Sequence, residues 1–249
     1  MALSFFLRLM LGHLIGDFVL QPYWLVLAKR TGWPGLFIHV GVVTFVTAIF
    51  AWASIPLWWL WIIILFLGHL FIDQFRTFVF TDNTKGKGLL LLILDQIAHI
   101  ILIAFLAWAA TGWTFADLQV LFTEAAPNQF RAIVYLGGLA ILIGVIPILE
   151  IEITVAVWAA QGTQVNHTVG IDKSDRIFGS LERAIGLALI LIGWWWVSPL
   201  VFIPRLALMI YQGQANANRT AVASKMATSF ISTILVSWML WFVPFPIFS

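Results

Sequence analysis

No cysteine occurs in the 249 residues, which excludes disulfides, thiolate zinc sites and cysteine nucleophiles and leaves the redox compartment unreadable. Charge is scarce too. Asp, Glu, Lys and Arg make up 10% of the chain, against about 25% in soluble domains. The net charge of +2 is too small to argue for a nucleic-acid partner. There is little basic n-region before the first apolar segment, and His13 and Asp17 interrupt its core, so that segment reads as a retained helix rather than a cleaved signal.

What fills the chain instead is apolar. With 62% apolar residues and a mean hydropathy of +1.01, the sequence reads as an all-α polytopic transmembrane bundle in a lipid bilayer. Its 14 Trp and 21 Phe suit lipid-facing surfaces and interfacial belts. Apolar runs of about 20 residues, punctuated by Pro, Gly and charge, predict the spans. They cover about 4–26, 35–53, 57–79, 88–110, 132–159, 177–197, 199–211 and 223–243, with a short interfacial helix expected between Thr111 and Gln129. That makes about eight helices, or seven if 199–213 does not cross. They form one membrane domain over 1–249, with a four-helix half at 1–110 and a C-terminal half at 131–249.

The basic residues divide unequally between the two ends of these spans. Lys29, Arg30, Arg76, Lys85, Lys87, Lys173, Arg176, Arg183, Arg219 and Lys225 gather on one side, while the other clearly holds only Arg131. The positive-inside rule makes the basic side cytoplasmic and puts the N-terminus outside. Lys85 and Lys87 are expected against anionic headgroups.

Polar residues inside the spans carry the functional argument, because they are expensive in hydrocarbon. Gly68-His69-Leu70 with Asp73 and Phe75 repeats a pattern already present as Gly12-His13-Leu14 with Asp17. Asp95 and His99 carry the same two residue types in the opposite order. Residues four apart share a helix face, roughly 6 Å apart along the axis. Counted at 1.5 Å per residue, Gln21, Asp17, His13, His39, Asp73, His69, Asp95 and His99 all lie roughly 8–20 Å from the cytoplasmic end. The reversed order in the fourth span is what its reversed direction requires. One polar pocket open to the cytoplasmic side follows.

His and Asp suit a divalent metal, zinc in the first place. The expected ligands are His13, His69, Asp73 and His99, with Asp95 and Asp17 as catalytic carboxylates. His39, Gln21, Gln96, Arg76, Glu182 and Arg183 are supporting or substrate-facing, Arg76 being placed to hold an anionic headgroup. Glu182-Arg183 reads first as an internal ion pair. Glu150 and Glu152 point to different faces, so at most one joins the pocket. Gly12 and Gly68 read as sites of close helix approach. His167 reads as solvated, and the Asn166-His167-Thr168 glycosylation pattern lies on the cytoplasmic side.

The stretch Leu11-Gly12-His13-Leu14-Ile15-Gly16-Asp17-Phe18-Val19-Leu20-Gln21-Pro22, with His39, Gly68-His69, Asp73, Asp95-Gln96 and His99, resembles a bacterial integral-membrane family, domain of unknown function 3307. Ile177-Phe178-Gly179-Ser180-Leu181-Glu182-Arg183 is similar to a C-terminal signature of that family, with one residue inserted. The resemblance implies a multi-pass protein of the bacterial inner membrane and no particular chemistry. At the level of site type, the His/Asp helices also resemble membrane-bound metal-dependent hydrolases. Three functions remain open at this point. They are a metal-dependent hydrolase of a lipid-linked or amphipathic substrate, a metal-ion or proton transporter, and a non-catalytic membrane subunit or scaffold.

Overall fold

The computed structural model describes residues 2–79, 88–123, 126–162, 173–213 and 219–244. Lys85, Lys87, Glu124 and the Asn166-His167-Thr168 stretch lie outside them. The protein is an all-helical membrane bundle. Among the described residues, five helices are long and apolar enough to cross a bilayer, six if a bent pair counts as one span. The described residues form two compact units, the first within Met1–Thr81, Leu90–Ala140 and Val243–Ser249, the second within Asp82–Leu89 and Ile141–Phe242.

In the first unit, α1 (Ala2–Leu14) runs on through a wide π turn, Ile15–Val19. The straight span expected to reach Val26 stops there. Pro22 has no N–H to donate and disfavours helix at Gln21, so the chain turns by 94° into α2 (Tyr23–Thr31). Next come α3 (Trp33–Ala51), α4 (Trp58–Gln74) with a π turn at Phe75–Val79, and α5 (Gly88–Thr111). A 3-10 helix at Phe115–Phe122 follows, capped by Thr114 and Asp117. α6 (Asn128–Ala140) closes this unit.

Four helices turn one buried stripe inward. On α1 it is Phe5, Leu9, His13 and then Asp17 of the π turn; on α3, Ala51, Thr47, Val43 and His39. On α4 it is Ile62, Leu65, His69 and Asp73; on α5, Ala107, Ile103 and His99. Steps of three and four keep each stripe on one face. All four stripes are apolar at one end and polar at the other. Phe5, Leu9, Ala51, Ile62, Leu65, Ile103 and Ala107 fuse into one apolar core with Leu106 and Trp113. The polar ends meet beyond it.

Close approach of α1 and α3 depends on Gly12 and Gly16. A Cβ on Gly12 would stand 2.5 Å from Thr47 Cα, and one on Gly16 2.8 Å from Val43 Cα. Both obstacles are backbone, so a side chain there would push the helices apart. Gly68 differs, since its obstacle is the mobile end of Leu102. Gly12→Val is therefore expected to lower the unfolding temperature in detergent by the equivalent of about 1–3 kcal/mol. Gly137→Ala, where a Cβ meets nothing within 4 Å, should leave stability unchanged or slightly raised. Equal effects of the two would refute the close-packing account.

The second unit holds a π turn at Ile141–Val145 and α7 (Ile146–Ala160), then α8 (Lys173–Leu191), a 3-10 helix (Ser198–Phe202), α9 (Ile203–Tyr211) and α10 (Arg219–Trp241). The apolar helix Ser198–Tyr211 is short. Its 14 residues reach about 21 Å at 1.5 Å each, less than the roughly 30 Å hydrocarbon core. Pro147 cannot donate to the carbonyl of Ile143 four residues back, and the π turn loosens the same stretch. α8 takes up the freed acceptors. Ser180 Oγ donates to Ile143 O (3.2 Å) and Arg183 Nε to Leu142 O (2.7 Å).

Candidate metal centre

At the polar end of the first unit's stripes, two carboxylates sit among four imidazoles. His39 Nε2 lies 3.2 Å from Asp17 Oδ1 and 3.0 Å from Asp73 Oδ2. His69 Nε2 is 3.5 Å from Asp73 Oδ2, and His99 Nε2 is 3.6 Å from Asp73 Oδ1. His13 Nε2 is 3.9 Å from Asp17 Oδ2. The rings pack against one another, with centroids 4.3 Å apart for His69 and His99 and 5.0 Å for His13 and His99. All six residues are at most 5% exposed.

Hydrogen bonds outside the cluster fix which nitrogen points in. His99 Nδ1 is 2.9 Å from the carbonyl of Asp95, one turn back on α5. A carbonyl only accepts, so Nδ1 carries the proton and the Nε2 lone pair faces Asp73. His39 Nδ1 is held by Gln21 (2.9 Å) at the corner that Pro22 creates. In the amide orientation that satisfies both ends, Gln21 N donates to Asp17 O, and its oxygen accepts from His39 Nδ1 and from Lys29 Nζ at 3.0 Å. His39 Nε2 is then also turned inward. Holding the far nitrogen of an imidazole in this way is what a metal-ligating histidine requires.

His39 Nε2 has Lys29 Nζ at 3.3 Å, but five other atoms at the centre are left without partners. His13 Nδ1 and Nε2, His69 Nε2, His99 Nε2 and Asp73 Oδ2 are buried and make no hydrogen bond. A buried polar group left so costs about 1–3 kcal/mol, more if charged. Zinc bonds of about 2.0–2.1 Å in a tetrahedron put neighbouring donors about 3.3 Å apart. The 3.0, 3.2, 3.5 and 3.6 Å separations bracket that edge. Two trios, Asp17-His39-His69 and His69-Asp73-His99, each bring one donor atom per residue within 4.8 Å of the others and can hold a metal ion.

Charge around the centre is uneven. Asp95 pairs with Arg76 (3.1 Å), and Asp17 has Lys29 at 4.0 Å. The ion-pair partners of Asp73 are His39, His69 and His99. Gln96 Nε2 ties the two flanking acids, donating to Asp95 Oδ2 (3.0 Å) and Asp17 Oδ2 (3.4 Å). Arg76 thus places one guanidinium nitrogen on Asp95. Lys29, expected in a loop, sits on α2 with Nζ 3.3 Å from His39 Nε2. The signal for it was Pro22, which starts a new helix there.

Glu182 and Arg183 do not pair with each other but join a second buried network. Neighbours in sequence on a helix diverge by about 100°, so each finds a partner on another helix. Arg183 Nη1 donates to Glu150 Oε1 (2.6 Å) and Ser229 Oγ (2.7 Å). Arg205 on α9 donates to Glu182 (2.7 Å), Glu150 (2.9 Å) and Asp175 (2.7 Å). Ser229 on α10 donates to Glu182, and Lys225 pairs with Asp175. Glu150 belongs to this network, while Glu152 is half-buried over Gly88. An arginine in a short apolar segment was the available clue to Arg205.

Residues 5–127 match the family model described as Protein of unknown function (DUF3307). Every residue of the His/Asp centre falls inside that match. The resemblance read at Ile177–Arg183 falls outside it, so the similarity covers the N-terminal part of the chain rather than its whole length. No curated protein and no solved structure matches the chain.

Proposed function

We propose that this protein is an integral-membrane metalloenzyme whose first unit binds a divalent, zinc-class cation and hydrolyses a lipid-linked or amphipathic substrate from the cytoplasmic side. The observation that carries the metal reading is Asp73, a buried carboxylate facing three imidazole nitrogens at 3.0, 3.5 and 3.6 Å. A neutral imidazole lone pair and a carboxylate at that distance repel unless a cation lies between them. A bound divalent ion supplies Lewis acidity towards a phosphoryl or carbonyl oxygen. Asp95, with Oδ2 3.9 Å from His99 Nδ1 and Oδ1 buried without a hydrogen bond, is the carboxylate we assign to proton transfer. Arg76 and Lys29 put positive charge beside the flanking carboxylates, which favours an anionic substrate group.

The apolar core at the other end of the same stripes speaks for a closed site over a conduction path. Protein purified without chelators is expected to carry stoichiometric metal, and His39→Ala to lose it while staying folded. Metal-free wild-type protein would overturn the reading in favour of packing by interhelical hydrogen bonds, about 0.6–2 kcal/mol each. The cytoplasmic orientation is tested separately. Reporter fusions at residues 87 and 176 are expected to read inside and one at 124 outside; the opposite pattern would turn the site outward.

A further inference from the structure

The two oxygens of each central carboxylate face different histidines. Asp17 Oδ1 faces His39 at 3.2 Å, and its Oδ2 faces His13 at 3.9 Å. Asp73 Oδ2 faces His39 at 3.0 Å and His69 at 3.5 Å, whereas its Oδ1 faces His99 at 3.6 Å. The donors therefore sort into two sets of four. One is His39, His69, Asp17 Oδ1 and Asp73 Oδ2; the other is His13, His99, Asp17 Oδ2 and Asp73 Oδ1. From this geometry we infer that the centre is built for two divalent ions, bridged by Asp17 and Asp73, with two histidines on each ion.

His13 supplies the independent observation. It is 1% exposed, neither ring nitrogen makes a hydrogen bond, and its ring stacks on His99 at 5.0 Å. A single ion held by His39, His69 and Asp73 would leave both His13 nitrogens buried and unsatisfied. A second ion uses one of them. The repeat in the sequence fits this arrangement, since the Gly-His-Leu-x-x-Asp pattern on α1 and again on α4 contributes one histidine and one bridging carboxylate each time. His69 lies near enough to His99 and Asp73 to serve the second set instead. One imidazole nitrogen binds one ion, however, and His39 would then lack a histidine companion.

The inference rests on the metal reading above, and stoichiometry separates the two. Full-length protein in detergent is titrated with manganese after chelator treatment, and bound metal is counted per chain. Two ions are expected, the second equivalent converting an isolated-ion paramagnetic resonance signal into an exchange-coupled one, as ions about 3.5–4 Å apart give. His13→Ala is expected to fall from two ions to one and to lose the coupled signal, with His13→Gln as the second variant should the alanine protein not fold. One ion per chain in the wild type would overturn the two-ion inference and leave the metal reading standing. No bound ion would overturn both. Two ions retained in folded His13 variants would overturn the assignment of the second set.

Discussion

Asp73→Asn is expected to weaken metal binding by more than about 100-fold, beyond the 10–100-fold that removal of an outer partner typically costs. Among the described residues no lysine or arginine forms an ion pair with Asp73; His39, His69 and His99 face it. The amide keeps the shape and removes the charge, so an ion in this buried setting loses the group that neutralises it. Asp95→Asn should stay within the smaller range, because Asp95 meets Arg76 and Gln96. A manganese titration of both variants decides the matter. Equal losses would show that the two carboxylates act alike and that Asp73 holds no privileged position.

Arg205→Ala is expected to cost about 3–5 kcal/mol of stability, the range for breaking a buried ion pair by removing one partner. Arg205 is 3% exposed, and its guanidinium meets Asp175, Glu150 and Glu182. Without it Glu182 keeps only Ser229 among these partners. Arg205→Lys should recover part of the loss, since a point charge cannot reach three carboxylates as a planar fork does. Lys225→Ala should cost less, because among the described residues Lys225 pairs with Asp175 and is partly exposed. Unfolding in mixed micelles measures all three. A loss for Arg205→Ala under 1 kcal/mol would mean that the carboxylates neutralise by taking up protons.

Particular residues show how far the chain could be read without its fold. The repeated His-x-x-x-Asp pairs at His13 and His69 were legible because four residues make about one helical turn, so both side chains share a face whatever the helix packs against. The reversal at Asp95 and His99 was legible for the same reason, once span direction was counted. His39 was harder. It stands alone on α3 with no acid within a turn, and only neighbouring helices put two carboxylates within 3.2 Å of it. A first span running to Val26 leaves Lys29 in a loop, whereas the corner at Pro22 puts it on α2.

The sequence by itself determined that the chain is helical and crosses a membrane, since hydrocarbon leaves backbone polar groups no partner outside the helix. It also determined which residues are too costly to bury for no purpose. Tertiary structure alone decided their partners. Arg183 passes over its neighbour Glu182 for Glu150, and Arg205 reaches Glu150 across 55 positions of chain. The orientation of each carboxylate, with its two oxygens facing different histidines, was likewise decided there. Periodicity sets the face on which a side chain emerges. Which groups meet across that face depends on helix spacing and rotation, and those follow from contacts such as Gly12 against Thr47 that no single segment contains.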